Sequence, residues 1–133
     1  IGVQAAVCNP PIQVSHGIEF MSGGIGSDEA ELMRTVEARW PAVFEFVVKD
    51  GRSAAFAAGV VLTVRDTQGN TVLDGVRSSG PYLLARLDPG RYTAEAVLAG
   101  QKIQREISVG GPGRSIKSVF EWPQGAGTAS PSS

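Results

Sequence analysis

Between Val43 and Trp122 apolar residues recur at every second position, in runs broken by glycine, proline, asparagine and aspartate. Period two puts alternate side chains on one face of an extended strand, so this stretch must bury one face of several short strands. Phe44, Phe46 and Val48 share a face, with Glu45 and Lys49 opposite. Val60, Leu62 and Val64 alternate with Val61, Thr63 and Arg65. After the turn Asp66-Thr67-Gln68-Gly69-Asn70, in which Gly69 is free to take a positive φ, Thr71 to Val76 returns as the hairpin partner. Tyr82 to Leu87 follows Gly80-Pro81, and Tyr92, Ala94, Ala96 and Leu98 follow Asp88-Pro89-Gly90. Ile103, Ile107 and Val109 come after Ala99-Gly100, and Ile116, Phe120 and Trp122 after Gly110-Gly111-Pro112-Gly113. Arg105 interrupts the apolar face of its strand, which predicts an edge strand or a partly open rim.

Seven strands at this spacing predict a mainly β sandwich, and the lack of strand–helix alternation argues against a parallel sheet. One helix is predicted upstream, over about 28–40. Ser27 is the expected N-cap, Asp28 and Glu29 suit the positive end of the helix dipole, and Ala30, Met33, Val36 and Trp40 form an apolar stripe. Pro41 ends it, because the residue before a proline disfavours the α region. Residues 1–22, with Asn9-Pro10-Pro11, read as an extended arm with room for a short strand near Gly17 to Met21. Residues 23–123 then form the single domain, and the small, polar residues 124–133 a disordered tail.

Leu87-Asp88-Pro89-Gly90-Arg91-Tyr92 resembles the Leu-x-Pro-Gly-x-Tyr signature of carboxypeptidase-regulatory-like domains, members of the transthyretin-like (prealbumin-like) sandwich class. The order of Gly59 to Val64, Asp66-x-x-Gly69-Asn70 and Gly80-Pro81-Tyr82-Leu83 is similar to that family's, over roughly residues 43 to 122. The resemblance implies a seven-stranded antiparallel Greek-key sandwich. Ser22 to Glu29 and the helix resemble small periplasmic proteins of proteobacteria that carry this domain, which implies a periplasmic or secreted location. The apolar, small-residue-rich Ile1 to Val7 reads either as the sequel to a signal peptide or as an arbitrary boundary. The resemblance brings no activity. The related hydroxyisourate hydrolases use several histidines and a Tyr-Arg-Gly-Ser ending, whereas this chain has His16 alone and ends Ser130-Pro131-Ser132-Ser133.

Charge narrows the partners. Twelve basic against thirteen acidic residues in 133 leave a net charge of −1, without the clustered Lys and Arg that nucleic acid or an anionic membrane surface requires. No apolar run approaches the roughly 20 residues of a membrane-spanning helix. Cys8 has no second cysteine to pair with inside the chain, and with His16 it cannot complete a tetrahedral metal site. No cofactor is expected.

Candidate chemistry is sparse. The glycine-rich Ser22 to Gly26 precedes a helix, but Asp28 and Glu29 repel a phosphate there and no Gly-Lys-Ser/Thr follows, so a flexible loop is expected. Ser15 and His16 are neighbours on an extended chain and point apart, so a solvated histidine is expected. Glu45, Glu95, Glu106 and Glu121 lie out of phase with the apolar faces. They should form cross-strand ion pairs with Lys49, Arg65, Arg105 or Lys117. Trp40, Tyr92 and Trp122 follow the core period, whereas Tyr82 is left over. Tyr82, Arg86 and Arg91 are therefore the candidate ligand-binding residues. The expectation is a non-enzymatic, monomeric interaction or accessory module, with a small-ligand or carbohydrate binder as the alternative.

Overall fold

The computed structural model describes residues 10–50 and 53–123. The chain is mainly β, with two sheets and one short helix among these residues. Its strands are β1 (Gln13–Ser15), β2 (Ile18–Gly23), β3 (Ala42–Asp50), β4 (Ser53–Phe56) and β5 (Val61–Asp66). They continue with β6 (Thr71–Arg77), β7 (Tyr82–Ala85), β8 (Gly90–Leu98), β9 (Gln101–Val109) and β10 (Ile116–Trp122). Helix α1 (Ser27–Val36) and a 3-10 turn at Glu37–Arg39 lie between β2 and β3.

The first sheet runs β1-β2-β7-β3-β10, with β4 also paired to β3, and the second runs β6-β5-β8-β9. One apolar layer serves both. Phe44, Phe46, Leu83, Phe120 and Trp122 come from the first sheet, and Leu62, Val64, Leu73, Ala94, Ala96 and Ile107 from the second. It includes an aromatic ladder, with Phe46 5.8 Å from Phe120 and Phe120 6.4 Å from Trp122 between ring centroids. The alternation read from the sequence holds along β8, where every second residue from Tyr92 to Leu98 is buried.

That alternation fails in β7, all of whose residues are buried. The other face of the first sheet is covered by α1, and Met21, Met33, Trp40, Val43, Tyr82 and Leu84 make a second apolar cluster there. A strand buried on both faces has no reason to alternate.

Several expectations change. First, the described residues form ten strands, where seven were expected after the helix and one short strand near Gly17 to Met21. In the segment read as an arm, β2 stands where the short strand was expected and β1 is added to it: Ser15 pairs with Ile18, and His16 and Gly17 make a two-residue turn with φ of 50° and 80°. Histidine tolerates the left-handed region better than most residues. β4 adds to the far half of β3. Second, the strands are not all antiparallel, because β10 lies parallel to β3 from Ile116 against Ala42 to Trp122 against Val48. The chain reaches β10 from β9 in the opposite sheet, so the parallel pair needs no crossover helix. Third, α1 stops at Val36; the 3-10 turn follows, and Trp40 is extended (φ −109°, ψ 137°) before Pro41. The expected tail at 124–133 and residues 1–9 lie outside the described residues.

Ser27 is also not the N-cap. Gly26 holds that position, at φ 87° and with no side-chain cap. Glu29 does the work from within the first turn: its Oε1 accepts the backbone N–H of Gly24 (2.7 Å) and of Ile25 (3.2 Å). The glycine loop is thus a built corner rather than a flexible one. At Gly24 (φ 108°) a Cβ would lie 2.6 Å from the Tyr82 ring, so both the backbone and the packing require glycine.

Candidate functional site

Ser15, His16 and Asp74 meet at the β1–β2 turn. His16 Nε2 is 3.6 Å from Asp74 Oδ2, with the His16 side chain 53% exposed. Ser15 Oγ accepts the Asp74 backbone N–H at 3.3 Å, which directs it at the main chain rather than at the imidazole. The three residues therefore pin the hairpin to β6 and lack the serine–base hydrogen bond of a nucleophilic triad.

The strand carboxylates pair as expected in three cases. Lys49 reaches Glu121 (3.6 Å), Arg65 reaches Glu95 (3.3 Å) and Lys117 reaches Glu45 (3.2 Å). Lys117 also holds Glu37 Oε2 at 3.3 Å and lies over the Tyr82 ring. Burial pulls the Lys117 ammonium down, but the hydrogen bond and charge of Glu45, helped by Glu37, outweigh it and hold the group above its ordinary value. One ammonium thus serves two carboxylates, and Glu37 Oε1 is buried with no hydrogen-bond partner among the described residues. No group of three or more His, Cys, Asp or Glu among the described residues could hold a metal ion.

Of the three candidate binding residues, Tyr82 is misplaced by the sequence reading. It is 2% exposed, under α1 in the second apolar cluster, and cannot present its ring to a ligand. Trp40, Tyr92 and Trp122 are buried too, so these rings offer no open aromatic platform for a sugar. Arg91 is exposed beside a groove of about 310 Å³ on the second sheet, which Glu106 also lines, so charge there is balanced.

Arg86 opens onto a different groove. Three connections converge at one end of the molecule: the 3-10 turn into β3, the β7–β8 turn, and the β9–β10 loop. Between them lies a groove of about 320 Å³, whose lining includes Arg39, Arg86, Arg114, Pro41, Pro89 and Pro112 but no carboxylate side chain. Each guanidinium is placed by local chemistry. Arg86 stacks on Trp40, 4.3 Å from the ring centroid, and its Nε is 3.3 Å from Glu19 Oε1. Arg39 ends the 3-10 turn at the negative pole of the helical segment, where a cation is favoured.

Arg114 is set by Gly111-Pro112-Gly113-Arg114. Its N–H donates to Gly111 O (3.1 Å) and Gly113 takes φ 80°, the geometry of a type II turn with proline then glycine at its centre. The Arg114 stem lies against Gly110, where a Cβ would come within 2.9 Å of Arg114 Cδ. Reading the sequence missed Arg39 and Arg114, and the Gly-Pro-Gly-Arg run was the available signal. The groove exists only because residues 39, 86 and 114 converge in space.

No protein-family model, curated protein or solved structure matches the chain.

Proposed function

We propose that the chain is a non-enzymatic periplasmic or secreted module, a transthyretin-like Greek-key sandwich that acts by binding an acidic partner. The observation that carries this reading is the groove of Arg39, Arg86 and Arg114, which has no carboxylate in its lining. Like charges gathered in one place repel, and an anionic group seated among them relieves that repulsion. Export is supported by the resemblance at Leu87 to Tyr92 and Ser22 to Glu29. A monomer is supported by β9, a sheet edge whose Arg105 guanidinium lies over the Phe120 ring at 5.7 Å and so blunts strand addition. The size of the groove favours the second reading within the same class, a small-ligand binder, since such sites start at about 300 Å³.

Arg39 and Arg114 are exposed, so replacing both with alanine should leave the fold intact. The native protein is expected to bind poly-glutamate in calorimetry with an affinity that falls as salt is added, and the double alanine variant to bind at least about ten-fold more weakly. Equal binding by the two proteins would remove the groove as the site. Turnover of a general hydrolase substrate, abolished by one substitution, would overturn the non-enzymatic reading.

A further inference from the structure

The groove carries more than a positive sign. Glu19 matches the charge of Arg86, whereas Arg39 and Arg114 have no ion-pair partner among the described residues. The local excess is therefore two positive charges. Arg86 is held on both sides, by the Trp40 ring and by Glu19 at its Nε, which leaves its terminal nitrogens at a defined place. A guanidinium fixed in this way binds a carboxylate or phosphoryl oxygen pair without first losing side-chain freedom. Pro41, Pro89 and Pro112 supply rigid apolar walls for a short organic body.

We propose that this groove, if it is the binding site as read above, takes a small organic dianion: one compact group of charge −2, or two carboxylates a few bonds apart, on a short apolar stem. Arg86 is the fixed anchor, and Arg39 and Arg114 close on the anion from the neighbouring connections. Phosphate monoesters and dicarboxylates share this chemistry. They differ in where the charge sits, since a phosphoryl group carries both charges on the oxygens of one atom and a dicarboxylate carries them on two separate carbons.

Titration calorimetry and thermal melts of the full chain with phenyl phosphate, succinate and, as the monoanion control, acetate at matched ionic strength test the proposal. At least one dianion should raise the melting temperature and bind about ten-fold or more tightly than acetate. Compared at about pH 8, where both are dianions, the tighter binder of phenyl phosphate and succinate identifies the group that the groove prefers. Arg39→Ala and Arg114→Ala should each weaken the preferred dianion, as should Gly110→Ala, which displaces the Arg114 stem while adding no charge. Lys49→Ala, on a different surface, should not. If neither dianion outbinds acetate while poly-glutamate binding still depends on Arg39 and Arg114, the dianion proposal fails and the binding-module reading stands. If poly-glutamate binding is also indifferent to the arginines, both fail.

Discussion

At the scale of single residues, Tyr92 shows what the Pro-Gly-Arg-Tyr turn is for. Its ring is buried in the shared core, and its hydroxyl donates to Asp88 O at 2.6 Å, closing the turn four residues upstream. Burial raises the Tyr92 hydroxyl pKa, and the nearby Asp88 and Asp66 charges add to the effect, so the neutral donor is favoured. Tyr92→Phe keeps the packing and removes the hydrogen bond, and should cost about 0.5–1.5 kcal/mol in denaturant melts. Tyr92→Ala should cost about 3–5 kcal/mol, because the ring's contacts go as well. Ala99 is the opposite case. With Gly100 it forms the two-residue β8–β9 turn at φ 51°, where an alanine Cβ is strained. Ala99→Asn, a residue suited to that turn, should raise stability by about 0.5–1 kcal/mol in the same melts.

At the scale of elements, turns do more to place residues than helix or strand propensity does. The β5–β6 connection is organised by Asp66, whose Oδ1 accepts the N–H of Gln68 and of Asn70, each at 2.9 Å. The Asn70 backbone hydrogen bond is the main reason that the Asp66 carboxyl sits below its ordinary range. The Gln68 N–H and the Asn70 side chain act in the same direction, against a desolvation effect that opposes them. A carboxyl whose folded value is depressed stabilises the fold fully above its unfolded value, near 3.9, and loses that contribution as pH falls through the folded value. Asp66→Ala should therefore melt lower than the native protein at pH 7, with the gap narrowing as pH drops below about 4. A constant gap in a pH series of thermal melts would place the effect elsewhere than in the carboxylate. The exposed cross-strand ion pairs add little by comparison, about 0.2–1 kcal/mol each.

Across the whole molecule, the loop after β6 staples the sheets together. Ser78 is buried, and its Oγ accepts the Val60 N–H (3.0 Å) at the start of the second sheet. Ser79 donates its N–H to Ser22 Oγ (2.9 Å) and its hydroxyl to Ser22 O (3.0 Å) in β2 of the first. Gly80 completes the join, since a Cβ there would lie 2.4 Å from Gly23 O, a backbone atom that cannot swing aside. Gly80→Ala should cost about 1–3 kcal/mol by forcing β2 away from the loop, and the hydrogen exchange of β2 amides should rise with it. Unchanged exchange in β2 would show that the loop yields instead.

The period-two pattern from Val43 to Trp122 marked seven of the eight strands of that stretch, all but β4, with the faces of β3, β5 and β8 and the turns at Asp66 and Asp88. These are local properties, because strand alternation and turn chemistry depend on residues a few positions apart. Hidden from the sequence were β1 and β4, the parallel seating of β10 on β3, and the double burial of β7 that takes Tyr82 out of reach of any ligand. Those depend on which distant segment covers a given face, and the pattern of one strand carries no record of its neighbours. Arg86 was legible as a candidate, but its companions Arg39 and Arg114 were not. A site of three arginines drawn from three connections exists only once the two sheets have closed and brought those connections to one end.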